Sequence, residues 1–157
     1  MTTVEREVAR REDDESFADA FDTLAQAIRR ARGARQDDAR ALSFSQYALL
    51  QVLAGGRAAR VRDLALEAGI APSTATRILD ALERREIVSR TRAQHDRRGV
   101  TVTLTALGRE ALGRQQAWMR DRQRAFFAGL PASEQALAPD LLVRLAGLID
   151  ELAVGPS

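Results

Sequence analysis

Residues 61–85 read VRDLALEAGIAPSTATRILDALERR, and residues 86–104 continue as EIVSRTRAQHDRRGVTVTL. The first part holds two segments of helical apolar period, which are separated at Gly69, a residue suited to a tight turn. Pro72 lies where the second segment begins, as is typical of the first turn of a helix. The second part alternates at period two, which is typical of strands. The stretch therefore predicts a helix, a turn, a second helix and a β-hairpin.

The second helix of this pair, predicted over about 72–85, has an apolar face and a polar face. The side expected to be buried consists of Ala75, Ile78, Leu79 and Leu82. The opposite side carries hydroxyl and guanidinium groups, which bond phosphates and base edges. A helix-turn-helix places its second helix in the major groove of DNA. The alternative is a solvated polar face, which is common on surface helices.

The predicted hairpin between residues 88 and 104 has an arginine-rich tip. Residues 84–98 contain six arginines against two acidic residues, so positive charge is concentrated beside the second helix. A short basic loop fits a narrow, negative minor groove. The sequence therefore predicts DNA contacts from the helix pair and from the hairpin tip. The candidate DNA-binding residues are Arg62, Ser73, Thr74, Thr76, Arg77, Arg84, His95, Arg97 and Arg98.

The N-terminal part of the chain is acidic first and apolar-periodic afterwards. Residues 1–22 hold eight acidic side chains against three arginines. Because residues 1–15 lack an apolar period, they are expected to form a flexible charged arm. Ser16 is expected to cap a helix that ends at Gly33. The apolar stripe of this helix consists of Phe17, Phe21, Leu24 and Ile28.

Three more helices are expected along the chain. One is capped by Ser43 or Ser45, and a long one follows Thr105. The last carries seven large aliphatic residues between Leu137 and Leu152, more than one small lobe needs for its own core. With the stripe of the first helix, these residues predict a homodimer with an interface of roughly 2,000 Å² or more.

The predicted fold class is mainly α with a small β-hairpin, a winged helix-turn-helix with N- and C-terminal dimerisation helices. The predicted domain covers residues 16–152, with a DNA-binding lobe at about 43–104 and a tail at 153–157. The dimerisation helices are expected at about 16–33 and 105–152.

Composition disfavours the other classes of function. The chain has one His, no Cys, no glycine-rich phosphate loop and no cluster with metal-ligand spacing, so we expect no catalytic residues, no metal and no cofactor. No apolar run approaches the roughly 18 residues of a membrane span, and the N-terminus does not resemble a signal peptide. The expected location is the cytoplasm, without a membrane partner.

The ordered pattern resembles the MarR (multiple antibiotic resistance regulator) family of transcription regulators. The resemblance extends from about Phe17 to Leu152. The segments that carry it are LSFSQYALL at 42–50, VRDLA at 61–65, PSTATR at 72–77, and DRR at 96–98 followed by Val100, Val102, Leu104, Thr105 and Gly108. The resemblance implies a homodimer on a pseudo-palindromic operator in double-stranded DNA. It also implies a repressor that a small aromatic effector releases.

The same resemblance implies roles for individual residues. Asp96 is expected to brace the wing, which is the hairpin between residues 88 and 104, by pairing with an arginine. A direct contact of Asp96 with DNA is not expected, because a carboxylate beside phosphate would be repelled. Either Arg97 or Arg98 would enter the minor groove. Glu86 stands where the family usually has Gly after the recognition helix, which is the second helix of the pair at about 72–85. Another geometry is therefore expected for that helix end.

An effector pocket between the dimerisation helices and the DNA-binding lobe is a further expectation from the family. The candidate lining residues are Phe17, Phe21, Phe44, Tyr47 and Trp118. Core and dimer packing is the alternative use of these aromatic side chains. Two alternative functions stay open: a constitutive DNA-binding regulator without ligand control, and a helical protein-interaction module without a DNA role. A site preference at nanomolar concentration would exclude the interaction module.

Overall fold

The computed structural model describes residues 3–33, 41–92 and 100–155. These ranges hold a mainly helical chain with one small antiparallel sheet, so the predicted winged helix-turn-helix is confirmed. The elements are α1 (Thr3–Gly33), α2 (Phe44–Val52), β1 (Ala59–Arg60), α3 (Val61–Glu67), α4 (Pro72–Arg84), β2 (Val88–Arg92), β3 (Val100–Leu104), α5 (Ala106–Ala128) and α6 (Ala132–Val154). None of the described helices has the length and apolarity that a membrane crossing requires.

The chain divides into two compact units, Met1–Gln115 and Gln116–Ser157. The first unit contains the helix-turn-helix, the sheet and the first part of α5. Its core is formed by fully or nearly buried apolar side chains. Burial of each large aliphatic side chain contributes about 1.5–3 kcal/mol to the free energy of folding. The members of this core on α2, α3 and α4 are Leu49, Leu50, Leu64, Ala65, Ala75, Leu79 and Leu82. The predicted inner face of α4 is therefore confirmed, with Ile78 packed at its edge.

Strands β2 and β3 form the predicted hairpin, and β1 adds a short third strand. The order is β1-β3-β2, with Val88 opposite Leu104 and Ala59 opposite Val102. Val88 and Val102 are buried, whereas Ser89 on the other face bonds Thr103 through their hydroxyls at 3.0 Å. A two-residue strand has no detectable period, which is why the sequence did not predict β1.

The caps of α2 and α3 follow the sequence signals. Of the two serines proposed for α2, Ser43 is the cap: its Oγ accepts from the Gln46 amide at 3.2 Å, and Gln46 Oε1 accepts from the Ser43 amide at 3.0 Å. Helix α3 ends at a turn in which Gly69 has φ +62°. There the Ile70 amide donates to the Ala65 carbonyl at 2.9 Å. This bond pattern satisfies the last carbonyls of α3 and turns the chain toward α4.

The turn that ends α4 has the same geometry as the turn that ends α3, although Glu86 occupies the position that corresponds to Gly69. Glu86 has φ 57°, its amide donates to the Glu83 carbonyl, and the Ile87 amide donates to the Leu82 carbonyl, each at 2.9 Å. The prediction of a different helix end at Glu86 was wrong. The left-handed conformation persists because Leu82 and Ile87, which flank the turn, are both buried. In addition, the Thr105 hydroxyl donates to the Glu86 carbonyl at 2.6 Å.

Glu86→Gly should therefore raise the free energy of unfolding by about 0.5–1 kcal/mol. A side chain in the left-handed region costs roughly 1–2 kcal/mol, from which the greater entropy of glycine in the unfolded chain is subtracted. Gly69→Ala is the matched control, because no atom lies within 4 Å of its added Cβ and only the backbone strain changes. It should lower stability by a similar amount in urea denaturation. A Glu86→Gly protein less stable than wild type would contradict this account.

Two boundaries differ from the predictions. Helix α1 begins at Thr3, so residues 3–15 are helical and Ser16 does not begin the helix. The reason is composition: Glu, Arg and Ala have high helix propensity, and a helix can continue without an apolar stripe. Helix α6 continues to Val154, into the predicted tail.

Candidate nucleic-acid interface

The exposed face of α4 brings together five of the candidate DNA-binding residues. The exposure of these side chains follows from the helical period, because the buried residues of α4 occupy the opposite face. Those that are exposed are Ser73, Thr76, Arg77 and Arg84, and Thr74 is partly buried. Helix α4 starts after Ala71, whose side chain has no acceptor for the first amides of the helix. Such a helix start attracts phosphate through its free N–H groups and its dipole.

The hydroxyl of Thr76 has a partner inside the helix. Its Oγ1 donates to the Pro72 carbonyl at 3.0 Å, so the lone pairs and the methyl group remain for an outside partner. Ser73 and Arg77 are therefore the better donors on this turn. A methyl group on the same face can contact the methyl of thymine in the major groove.

Arg77 and Arg84 carry the positive charge of this face. Within the part of the chain that the structure describes, neither guanidinium has an ion-pair partner, whereas Arg57 and Arg114 each have one and Arg90 has two. Unpaired guanidinium groups bind phosphate and guanine without first losing an internal partner. The two arginines therefore make α4 the most suitable described element for DNA.

Arg90 on β2 connects the wing to the recognition helix. Its Nη1 lies 2.7 Å from Asp80 Oδ1 and 3.0 Å from Glu83 Oε2, both on α4. The sequence alone did not predict this contact. The available signal was strand parity: Arg90 shares the alternation of the buried Val88, so its side chain lies on the face toward the core.

The hairpin tip lies outside the described residues, and with it the candidates His95, Asp96, Arg97 and Arg98. The strands that lead to it end at residue 92 and resume at residue 100. The role of Asp96 as a wing brace and the contacts of the tip arginines stay predictions.

Helix α3 presents Arg62 on its exposed side and is held by a second ion pair. The Arg57 guanidinium donates to both carboxylate oxygens of Glu67, at 2.7 and 2.6 Å. This hydrogen bonding lowers the pKa of Glu67 below its ordinary 4.5 and raises that of Arg57. Because the carboxylate pKa is lowered on folding, the pair stabilises the fold at neutral pH. That contribution disappears as the pH falls through the lowered pKa.

The proposed effector residues do not form one described site. Phe17 and Phe21 contact each other on α1, with ring centroids 6.4 Å apart. Phe44 and Tyr47 lie on α2. Trp118 belongs to the second compact unit, where the Arg122 guanidinium lies 5.8 Å from its ring centroid. The effector pocket therefore stays a prediction.

An open cleft of about 480 Å³ lies where the end of α4 meets β2 and the start of α5. Its lining residues are Glu83, Glu86, Val88, Ser89, Arg90, Thr105, Ala106 and Leu107. Two glutamates and no aromatic ring make it a poor match for an aromatic anion. Within the described ranges, no three His, Cys, Asp or Glu side chains converge to hold a metal ion.

Comparison with known proteins agrees with this geometry. Residues 42–100 match the model of the MarR family. The matched segment extends from α2 to the start of β3. The structure is similar to a transcriptional repressor, CouR, bound to a 23-mer DNA duplex (29% identity, 70% of this chain and 76% of that chain, TM-score 0.61). It is also similar to the PcaV transcriptional regulator from Streptomyces coelicolor in complex with its natural ligand (28% identity, 68% and 75%, TM-score 0.56).

A third solved structure, a MarR family transcription regulator, covers more of the chain. It is 17% identical over 94% of this chain and 99% of that chain, with a TM-score of 0.77, and so supports the fold alone. None of the curated proteins matches the sequence. The resemblance on which the sequence analysis relied is confirmed.

Proposed function

We propose that this chain, a transcription regulator of the MarR family, is a homodimeric repressor that binds a pseudo-palindromic operator. The observation that carries the proposal is the exposed face of α4, which presents Arg77 and Arg84 on a helix whose start has no side-chain cap. The DNA complex of CouR, at 29% identity, supports the same use of this fold. A regulator that acts on DNA is expected in the cytoplasm, and no enzymatic step is proposed.

In this proposal, α4 enters the major groove and the hairpin tip contacts the minor groove. Ser73 and the first amides of α4 would bind phosphate, and Arg77 would contact a base edge or a flanking phosphate. Arg97 or Arg98 would enter the minor groove next to the same half-site. Two-fold symmetry of the dimer places the half-sites about one helical turn apart, on the order of 10 base pairs.

Control by a small aromatic effector is the finer part of the proposal. The complex of PcaV with its natural ligand, at 28% identity, supports ligand binding within this fold. In the chain itself, aromatic side chains on α1 and α2 are available for such a ligand, with Phe17 and Phe44 exposed in the protomer. An effector with about 1–3 kcal/mol of differential affinity for a non-binding form would suffice for release.

The decisive experiment is a footprint on the DNA upstream of the protein's own gene, with and without aromatic carboxylates and phenols. The expected result is a symmetric protected site that is lost with at least one effector. Protection that no compound changes would indicate a constitutive regulator. A protein with no preference for this DNA over a scrambled duplex would instead be an interaction module.

Helix and wing should contribute differently to binding. Arg77→Ala should weaken operator binding by about 1–3 kcal/mol and change the preference at one position per half-site. Replacing both Arg97 and Arg98 by Ala should weaken binding to many sequences. It should also reduce the salt slope by roughly 0.9 for each phosphate that the variant no longer neutralises.

Salt titrations on specific and scrambled duplexes separate the two effects. Arg114→Ala is the control, because it removes an exposed arginine of α5 that pairs with Glu110 in its own helix. It should leave affinity and slope near those of wild type. A wing variant with the wild-type slope and affinity would show that the hairpin tip does not contact DNA.

A further inference from the structure

We infer that Arg90 acts on DNA binding without touching DNA, by holding the carboxylates of Asp80 and Glu83 away from the arginines of α4. The inference rests on the proposed function, because its readout is operator affinity. It assigns to Arg90 a positioning role within the recognition helix and wing.

The geometry supports a firm hold on both carboxylates. A single nitrogen of Arg90, Nη1, lies within 3.0 Å of Asp80 and of Glu83. The Arg90 side chain is only 24% exposed, and those of Asp80 and Glu83 are 43% and 39% exposed. Partial burial reduces screening by salt, so this network is stronger than a fully exposed pair.

The competing partners lie on the same helix as the carboxylates. Arg77 precedes Asp80 by three residues and Arg84 follows it by four, and side chains at these spacings meet on one side of a helix. Even so, Asp80 pairs with Arg90, and within the described residues neither Arg77 nor Arg84 has an ion-pair partner. Arg90 thus occupies the carboxylate that would otherwise attract the two DNA-facing arginines.

Loss of Arg90 should therefore damage DNA binding in two ways. The freed Asp80 carboxylate would pair with Arg77 or Arg84, and both carboxylates would repel phosphate in the groove. We expect Arg90→Met to weaken operator binding about tenfold. Its salt slope should also fall, because arginines paired inside the protein release fewer counterions.

The test is a double-mutant cycle between Arg90→Met and the paired change Asp80→Asn with Glu83→Gln. Operator affinity and salt slope are measured for all four proteins, together with thermal unfolding. The expected result is strong coupling: neutralising the carboxylates changes affinity little when Arg90 is present, but restores most of the affinity and slope in the Met background. Arg90→Lys should keep part of the affinity, because it retains one cationic partner.

The control is Arg114→Met, which breaks an exposed arginine pair on α5 and should leave operator affinity unchanged. Additive effects in the cycle would mean that Arg90 contacts DNA directly, and would overturn the inference. A purely structural role of Arg90 predicts that operator affinity follows thermal stability in all four proteins. That result would also overturn the inference. If the wild type itself does not prefer the operator, both this inference and the proposed function fail. If it does and the cycle is additive, only this inference fails.

Discussion

Gly108→Ala should lower the free energy of unfolding of the DNA-binding lobe by about 3 kcal/mol, the upper range for overpacking. A Cβ at Gly108 would lie 2.0 Å from the carbonyl oxygen of Ile87, well inside van der Waals contact. That oxygen cannot easily move, since it accepts from the Thr105 amide at 3.1 Å. The Ile87 amide is also fixed, because it donates to the Leu82 carbonyl.

Gly113→Ala is the matched control for this substitution. It lies one and a half turns further along α5, and no atom comes within 4 Å of its added Cβ. Alanine in an open helix position should raise stability by about 0.5–1 kcal/mol. Urea denaturation of both variants, followed by circular dichroism, measures the two opposite shifts. Equal stability of Gly108→Ala and wild type would show that the close approach is not present in solution.

The contact at Gly108 joins the start of α5 to the end of the recognition helix. The Gly108 amide donates to Thr105 Oγ1 at 3.0 Å, and the same hydroxyl donates to the Glu86 carbonyl at 2.6 Å. Thr105 therefore caps α5, as the sequence predicts, and also binds the turn that ends α4. A displacement of the start of α5 would be transmitted to α4 through this hydroxyl. Such a link gives the proposed effector control a mechanical route within the first compact unit.

The helix-turn-helix could be predicted because its signals are local. The inner face of α4 follows from the apolar period, and the turn after α3 follows from a glycine that adopts positive φ. The left-handed Glu86 could not be predicted, because its cost is offset by burial of Ile87 and by a hydroxyl from Thr105, nineteen residues away. Tertiary contacts of that kind leave no periodic trace in the sequence.

The candidate site likewise combines features that local sequence signals predict with features that depend on tertiary contacts. Exposure of Ser73, Arg77 and Arg84 follows directly from the side of α4 that is buried. The pairing of Arg90 with Asp80 and Glu83 depends on how β2 lies against α4, so charge counting alone grouped Arg90 with the other arginines. Ion pairs between elements require the tertiary arrangement, which composition does not contain.

Leu142→Glu should dissociate the proposed dimer and weaken operator binding by about 100-fold or more. In the part of the chain that the structure describes, no residue of helix α6 is fully buried, and most of its apolar surface is exposed. The large apolar side chains that it exposes are Leu137, Leu141, Leu142, Val143, Ile149, Leu152 and Val154. A carboxylate at this surface would be buried unpaired on association, which costs several kcal/mol. A monomer would also present one recognition helix instead of two, and loss of bivalency weakens binding about 10²–10⁴-fold.

Because Leu142 is exposed in the protomer, the substitution should leave the fold of each chain intact. Circular dichroism at low protein concentration should then match the wild type, while light scattering at micromolar concentration shows the mass of one chain. Leu66→Glu is the control for mass: it places the same charge at a leucine of α3 that is 81% exposed, outside the proposed dimerisation helices. That variant should keep the mass of a dimer. A Leu142→Glu protein that also retains the dimer mass would place the interface on another surface, and the spacing of the half-sites would then be set by a dimer built through that surface.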